Sequence, residues 1–186
     1  MPVKELIVEL GSGNGQMLFD LASKNKKQNL YFIGIEQDSS LCEQACHLLS
    51  SENNNITFVN ANFEEIISTY KNETIGMFIS ILPHPNYIGR EKIDNWVPFY
   101  KTALNKLKKY GEFLLVTECT NELLSAVTPR EYEKWKAWIT LTFKSIGFHI
   151  KLLVDKPPSS LSSYYLTQFM SDTNRIKILT MLMEKS

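Results

Sequence analysis

Leu6-Ile7-Val8-Glu9-Leu10-Gly11-Ser12-Gly13-Asn14-Gly15 reads as a buried strand running straight into a glycine loop. Three glycines stand on alternate positions. Gln16 to Ser23 then continues as an amphipathic run, with Met17, Leu18 and Leu21 at helical spacing. Glycine tolerates positive φ and puts no Cβ between the backbone and a ligand. A helix starting directly after such a loop turns its free N–H groups toward the same spot. The dinucleotide pattern G-x-G-x-x-G needs glycine where Gln16 stands, so that pattern fails here. The pattern present is E-x-G-x-G-x-G, with Glu9 at the end of the strand.

Outward from this loop, strands alternate with helices. Leu30 to Ile35 is a second continuous apolar run, read as a buried strand that ends at Glu36. The distance from Gly15 to Glu36 suits a βαβ unit whose second strand ends in a ribose-binding acid. Asp38 or Ser39 caps a helix over 40–50. A polar loop at 52–55 precedes a third strand, Ile56 to Val59, which leads into Asn60-Ala61-Asn62. Phe63 to Tyr70 reads as a short helix. Ile75 to Leu82 is a fourth buried strand, stopped by Pro83-His84-Pro85-Asn86-Tyr87. Ligands of open α/β sheets sit outside the carboxyl ends of the strands, so this stiff turn faces any ligand.

A long amphipathic helix is expected over Lys92 to Tyr110, with Gly111 as its C-cap. Strand five, Phe113 to Val116, leads to Thr117-Glu118. A helix from Pro129 to about Ser145 ends at Gly147, and Phe148 to Val154 is strand six. A polar connection, Asp155 to Ser163, precedes a short helix or turn at Tyr164 to Met170 and a last strand at Ile176 to Met183. Alternation through the first five units implies a parallel sheet. The last two strands lack a full-length helix between them, so the final one returns antiparallel beside the sixth. The expectation is an α/β Rossmann-like domain over residues 1–186, a mainly parallel seven-stranded sheet with an antiparallel last strand and helices on both faces.

The 186 residues carry no net charge, which argues against a broadly basic nucleic-acid surface. Only Arg90, Arg130 and Arg175 are arginines, leaving few candidates for bidentate phosphate or guanine recognition. Cys42, Cys46 and Cys119 give no disulfide framework and fit a reducing, cytoplasmic setting. Cys42, Cys46 and His47 fall on one expected helix and read as buried helix residues, and no metal site is expected. No apolar run reaches the roughly 18 residues of a membrane span, and no signal peptide is read.

The E-x-G-x-G-x-G loop resembles that of S-adenosylmethionine (SAM) methyltransferases. A sulfonium cofactor carries no pyrophosphate, and an acid near the loop suits a cationic ligand. More specifically, the chain resembles the tRNA (guanine-N7)-methyltransferases of the class I SAM-dependent group. Glu9 to Gly15 is similar to the family's E-[IL]-G-x-G-x-G, and Phe32-Ile33-Gly34-Ile35-Glu36 to its F-[IV]-G-[IV]-E. Asn60-Ala61 falls at its Asp-Ala, and Leu82-Pro83-His84-Pro85-Asn86 at its F-P-D-P-W. Gly111 to Glu118 resembles its G-G-x-L-x-x-x-T-D, and Tyr165 to Phe169 weakly resembles its T-x-[FY]-E. His84 stands for the family's active-site Asp, Asn86 for its Trp, and Met170 for the Glu that closes the late segment. The basic run after the proline turn is reduced to Arg90 and Lys92.

The resemblance implies SAM as cofactor, held by Glu9, Gly11, Ser12, Gly13, Asn14, Gly15, Glu36, Gln37, Asn60 and Ala61. Glu36 would take the ribose. Asn60 would take the adenine amino group, with Asn62 as the alternative and Phe63 as a ring contact. It implies catalytic roles for His84 and Glu118. Pro83, Asn86, Tyr87, Thr117 and Thr167 would face the substrate, and tRNA would be the partner. Other acceptors for the same cofactor, small molecule or protein, fit the neutral charge, as does a non-catalytic SAM-binding relative.

Overall fold

The computed structural model describes residues 4–51, 53–121, 125–159, 161 and 164–186, with the side chains of Tyr164 and Tyr165 excepted. Glu52 of the expected 52–55 loop, and Ser160, Ser162 and Ser163 of the expected 155–163 connection, lie outside the described residues.

Strand β1 (Glu5–Leu10) becomes fully buried over its last four residues and opens into the glycine loop and helix α1 (Gln16–Lys24). Then come β2 (Leu30–Glu36), α2 (Ser39–His47), β3 (Ile56–Asn60), α3 (Phe63–Thr69) and β4 (Ile75–Ile81). Two short 3-10 turns, Pro85–Tyr87 and Arg90–Lys92, lead to α4 (Ile93–Lys106) and β5 (Leu107–Cys119). The chain closes with α5 (Pro129–Ile146), β6 (Phe148–Val154), α6 (Tyr164–Met170) and β7 (Lys177–Lys185). The strands form one seven-stranded sheet in the order β3-β2-β1-β4-β5-β7-β6. The pairs from β3 to β5 are parallel, and β7 is antiparallel to both neighbours.

The expected architecture is thus the one observed, and the sheet order adds a feature that strand reading left open. β7 inserts between β5 and β6. Its Ile178, Leu179, Met181 and Met183 are all buried, so it needs cover on both faces. β6 alternates in His149 and Lys151 and leaves Leu152 49% exposed, a composition suited to an edge. Helices α3, α4 and α5 cover one face through Ile67, Trp96, Tyr100, Ile139 and Phe143. Helices α1, α2 and α6 cover the other through Met17, Leu18, Ala45 and Leu166.

The helix expected to run to Tyr110 with Gly111 as its cap stops at Lys106 instead. Leu107 turns extended and is fully buried, which ends the helix four residues early and draws the chain into β5 before the expected start at Phe113. Residues 108–111 then bulge out, since Ile75 pairs with Leu107 but Met77 pairs with Glu112. Tyr110 takes a left-handed φ of 62° there, and a Cβ on Gly111 would lie 2.9 Å from the Lys108 carbonyl oxygen. Gly111 therefore serves a bulge rather than a helix end. α5 begins on a capping box, with Thr128 and Glu131 bonding each other's backbone N–H, and ends at Gly147 in a left-handed conformation. Among the described residues no helix is long and apolar enough to cross a membrane.

Candidate active site

The carboxyl ends of β1, β2, β4 and β5 open on a cavity of about 1120 Å³. Its wall joins the glycine loop to the Leu82–Pro85 turn and to Glu118, with α6 on a further side through Thr167, Gln168 and Phe169.

The loop divides its three glycines between two tasks. Gly11 (φ 73°) and Gly13 (φ 55°) border the cavity, and a Cβ on either would meet no protein atom within 4 Å. Gly15 (φ 74°) faces inward, where a Cβ would lie 2.5 Å from Ala45 Cβ and 2.6 Å from Phe58 Cζ. So Gly11 and Gly13 leave room for a ligand, whereas Gly15 lets α1 close against α2 and β3. Gly34, beneath the loop, is a second tight position, since a Cβ there would press on Phe58 and on Ser12 Oγ.

Glu36 sits at the centre of the loop's hydrogen bonding. Gly13 N–H donates to its Oε2 at 2.8 Å and Asp38 N–H to its Oε1 at 2.9 Å. Both oxygens keep a further lone pair, and the carboxylate lines the cavity. Glu9 differs. It is 4% exposed, its Oε2 has no hydrogen-bond partner, and burial with the nearby Glu36 charge pushes its pKa up to about 8. Ser12 Oγ is likewise buried and unpartnered. Two orphaned polar groups around an open glycine cradle are what a cationic, hydrogen-bonding ligand would complete.

Asn60, expected at the adenine, donates its amide N–H groups to the Glu36 and Gln37 carbonyls at 2.9 and 3.1 Å, so only its Oδ1 is uncommitted by these bonds. Ala61 N–H also bonds the Glu36 carbonyl. Gln37, Asn60 and Ala61 thus form a brace behind Glu36 and do not border the cavity. Asn62 caps α3 by accepting from Glu64 N–H, and Phe63 packs on Tyr87 at 4.7 Å and Phe99 at 5.2 Å.

At the other end, Leu82 turns out of β4 with a left-handed φ of 50°, a strained conformation for a branched residue. Pro83, His84 and Pro85 follow on the cavity wall. His84 Nδ1 accepts from Asn86 N–H at 3.2 Å, so the ring proton belongs on Nε2. Its Nδ1 caps the turn, and the other ring nitrogen is a donor. Ile88 is buried, and Trp96 Nε1–H holds the Gly89 carbonyl at 2.8 Å, which fixes the turn to α4. Asn86 and Tyr87 lie off the cavity wall, Asn86 exposed and Tyr87 packed at a tilt on Phe63.

Glu118 borders the cavity, its Oε2 is buried without a partner, and burial raises its pKa. Its neighbour Thr117 is completely buried and off the wall. Thr167 is on the wall. Sequence reading missed Gln16, Met17 and Asp20 of α1, Leu41 and Gln44 of α2, and Gln168, Phe169 and Ser171. The helix period could have placed Gln16 and Asp20 on one face, where the Gln16 amide donates to Asp20 at 2.8 Å. Nothing in the sequence shows that α6 folds over this opening. Cys42 is buried, but Cys46 and His47, read as buried, are exposed, because α2 turns that face to solvent.

The chain belongs to the methyltransferase-domain family, whose model matches residues 4–169. It is a SAM-dependent methyltransferase, and the cradle, the brace and the orphaned Glu9 fit that cationic cofactor. Among solved structures it is similar to the 16S rRNA methyltransferase KamB, with 13% identity, TM-score 0.72 and coverage of 98% of this chain and 88% of that one. It is also similar to an S-adenosylmethionine-dependent methyltransferase from Mesorhizobium loti, with 14% identity, TM-score 0.64 and coverage of 100% and 94%. A geranyl diphosphate methyltransferase in complex with SAM matches at 10% identity and TM-score 0.63, covering 100% and 80%. These likenesses are of fold. Comparison of the sequence with curated proteins gave no match.

Proposed function

We propose that this chain transfers a methyl group from SAM to a nitrogen nucleophile brought in over the Pro83–Pro85 turn. Guanine N7 of tRNA is the acceptor that the sequence resemblance supports. One observation carries the reading: a single cavity connects the glycine cradle to the proline turn and Glu118. Bound SAM supplies an electrophilic methyl carbon, whose bond to sulfur breaks with the electron pair staying on sulfur as the bond to nitrogen forms.

The protein's part is placement and charge. Gly11, Gly13 and Glu36 hold the cofactor, Glu9 offers a negative charge to its cationic part, and the rigid turn positions the acceptor. His84 presents a donor N–H to the acceptor. Glu118 steadies the positive charge that the acceptor nitrogen gains. The free cysteines fit a cytoplasmic setting for such an enzyme.

The test is calorimetric titration with SAM and S-adenosylhomocysteine, then SAH formation with unmodified tRNA and mapping of the methylated atom. Methylation at guanine N7 supports the full reading. Cofactor binding with an unmodified tRNA product removes the tRNA acceptor and leaves the methyltransferase.

A further inference from the structure

The cavity is larger than one ligand requires. A drug-sized ligand occupies a pocket of about 300–1,000 Å³, and this one measures about 1120 Å³. Two carboxyls on its wall, Glu9 and the half-buried Glu118, each keep one buried oxygen without a partner, and they stand far apart on the sheet. Glu9 pairs with Ile79 of β4, which in turn pairs with Leu114 of β5, and Glu118 lies four residues further along β5. At a rise of about 3.3 Å per residue, that offset alone exceeds 10 Å. Glu9 lies at the glycine cradle, and Glu118 marks the other part of the same cavity, called here the second compartment, beside the proline turn and α6.

The wall of the cavity has a one-sided chemistry. Glu9, Asp20, Glu36 and Glu118 line it, and no Lys or Arg does among the described residues. The chain as a whole carries 20 Lys and Arg against 20 Asp and Glu, so the asymmetry belongs to the cavity. Arg90, the nearest arginine in sequence to the turn, has its guanidinium 4.9 Å from the Trp138 ring centre. Ionised carboxylates are acceptor-only groups. They match N–H donors and positive charge, and a phosphate among them would find neither a counter-charge nor a donor fork.

From this we propose that the second compartment takes an uncharged or cationic nitrogen group, stacked against Phe169 and Met17, and excludes phosphate. The proposal rests on the methyltransferase reading and narrows its acceptor. An uncharged nitrogen without a proton ends the reaction positively charged and faces Glu118. A nitrogen that bears a proton passes it to the Glu118 carboxylate. The same chemistry is offered by a free amine or heterocycle and by the base of an RNA whose phosphates stay outside.

Two probes that share a benzyl ring and carry opposite charge test it on SAH-saturated protein: benzylamine and benzyl phosphate, by calorimetry. Failure of SAH itself to bind would bring down the cofactor reading, a separate result. Benzylamine binding at least tenfold more tightly than benzyl phosphate, with the preference reduced in Glu118→Gln, is expected. Equal or tighter binding of benzyl phosphate, or binding of neither probe, overturns the proposal. The source is then assigned by SAH formation with guanosine, GMP and tRNA. Turnover of guanosine above GMP assigns a free compound, turnover of tRNA alone assigns a base, and GMP faster than guanosine overturns the proposal.

Discussion

The glycine-loop end of the cavity and the proline-turn end are built in opposite ways. At the first, backbone geometry does most of the work. Three left-handed glycines, a carboxylate pinned by two backbone N–H groups and a brace from Asn60 leave little to individual side chains. At the second, the backbone is held by Trp96 and Ile88, and the chemistry rests on the side chains of His84, Glu118 and Phe169. A cofactor common to many enzymes asks for one backbone shape. Acceptors differ, and side chains can be exchanged without refolding a loop. The lesson is that the first region reports the cofactor and the second reports the individual enzyme.

The largest effects should come from the loop, and they should divide. Gly15→Ala forces a Cβ into Ala45 and Phe58 at a positive φ. It should cost several kcal/mol of stability, on the order of an overpacked core plus a strained backbone, read by chemical denaturation. In Gly13→Val the Cβ itself meets no protein atom within 4 Å and the side chain enters the cradle, so SAM affinity should fall by about a hundredfold or more with a smaller stability loss of roughly 1–2 kcal/mol. Equal stability losses in the two variants would erase the division of tasks among the glycines.

Glu9 holds its proton in the folded chain up to about pH 8, against 4.5 when unperturbed. Between those values the folded state binds one proton more than the unfolded state. Stability of the ligand-free protein therefore falls as pH rises through this window, by at most roughly 1.4 kcal/mol per pH unit, and levels off above pH 8. Glu118, also raised, acts in the same direction. SAM asks for the ionised form, so its affinity should rise between pH 6 and 8 by up to about tenfold per unit. Thermal melts and calorimetry on wild type and Glu9→Gln check both. A Glu9→Gln profile as steep as wild type would show that another group titrates.

At the acceptor end, His84→Ala should lower the methyl-transfer rate by about tenfold, the worth of one hydrogen bond of roughly 1.4 kcal/mol. SAM affinity should be unaffected. A matching loss of SAM affinity would mean that the proline turn belongs to the cofactor region. The smallest effect belongs to a site remote from both. Thr128→Ala removes the capping box of α5 and should cost about 1 kcal/mol with the SAM dissociation constant unchanged.

Much of this was legible in advance. Strand order apart, the elements followed from apolar runs of strand length alternating with helical spacing, and the cofactor loop followed from Glu9, Gly11, Gly13 and Gly15. Boundaries failed where burial overrode local preference. The helix before β5 ended at Lys106 because Leu107 had a place in the sheet, although its propensity ran on to Tyr110. In the site, Asn60, Ala61, Asn62 and Tyr87 sit where their sequence positions suggest, yet their side chains or backbone are engaged with the protein.

By itself, then, the sequence determined the class of fold and the presence of a cofactor cradle, because both depend on local patterns of period 2, period 3.6 and positive-φ glycine. Tertiary structure alone decided that β7 lies inside β6, since that depends on which strand must hide both faces. It alone placed α6, α1 and Glu118 around one cavity and kept every described lysine and arginine off its wall. Those facts join residues far apart in the chain, and no local pattern encodes such a meeting.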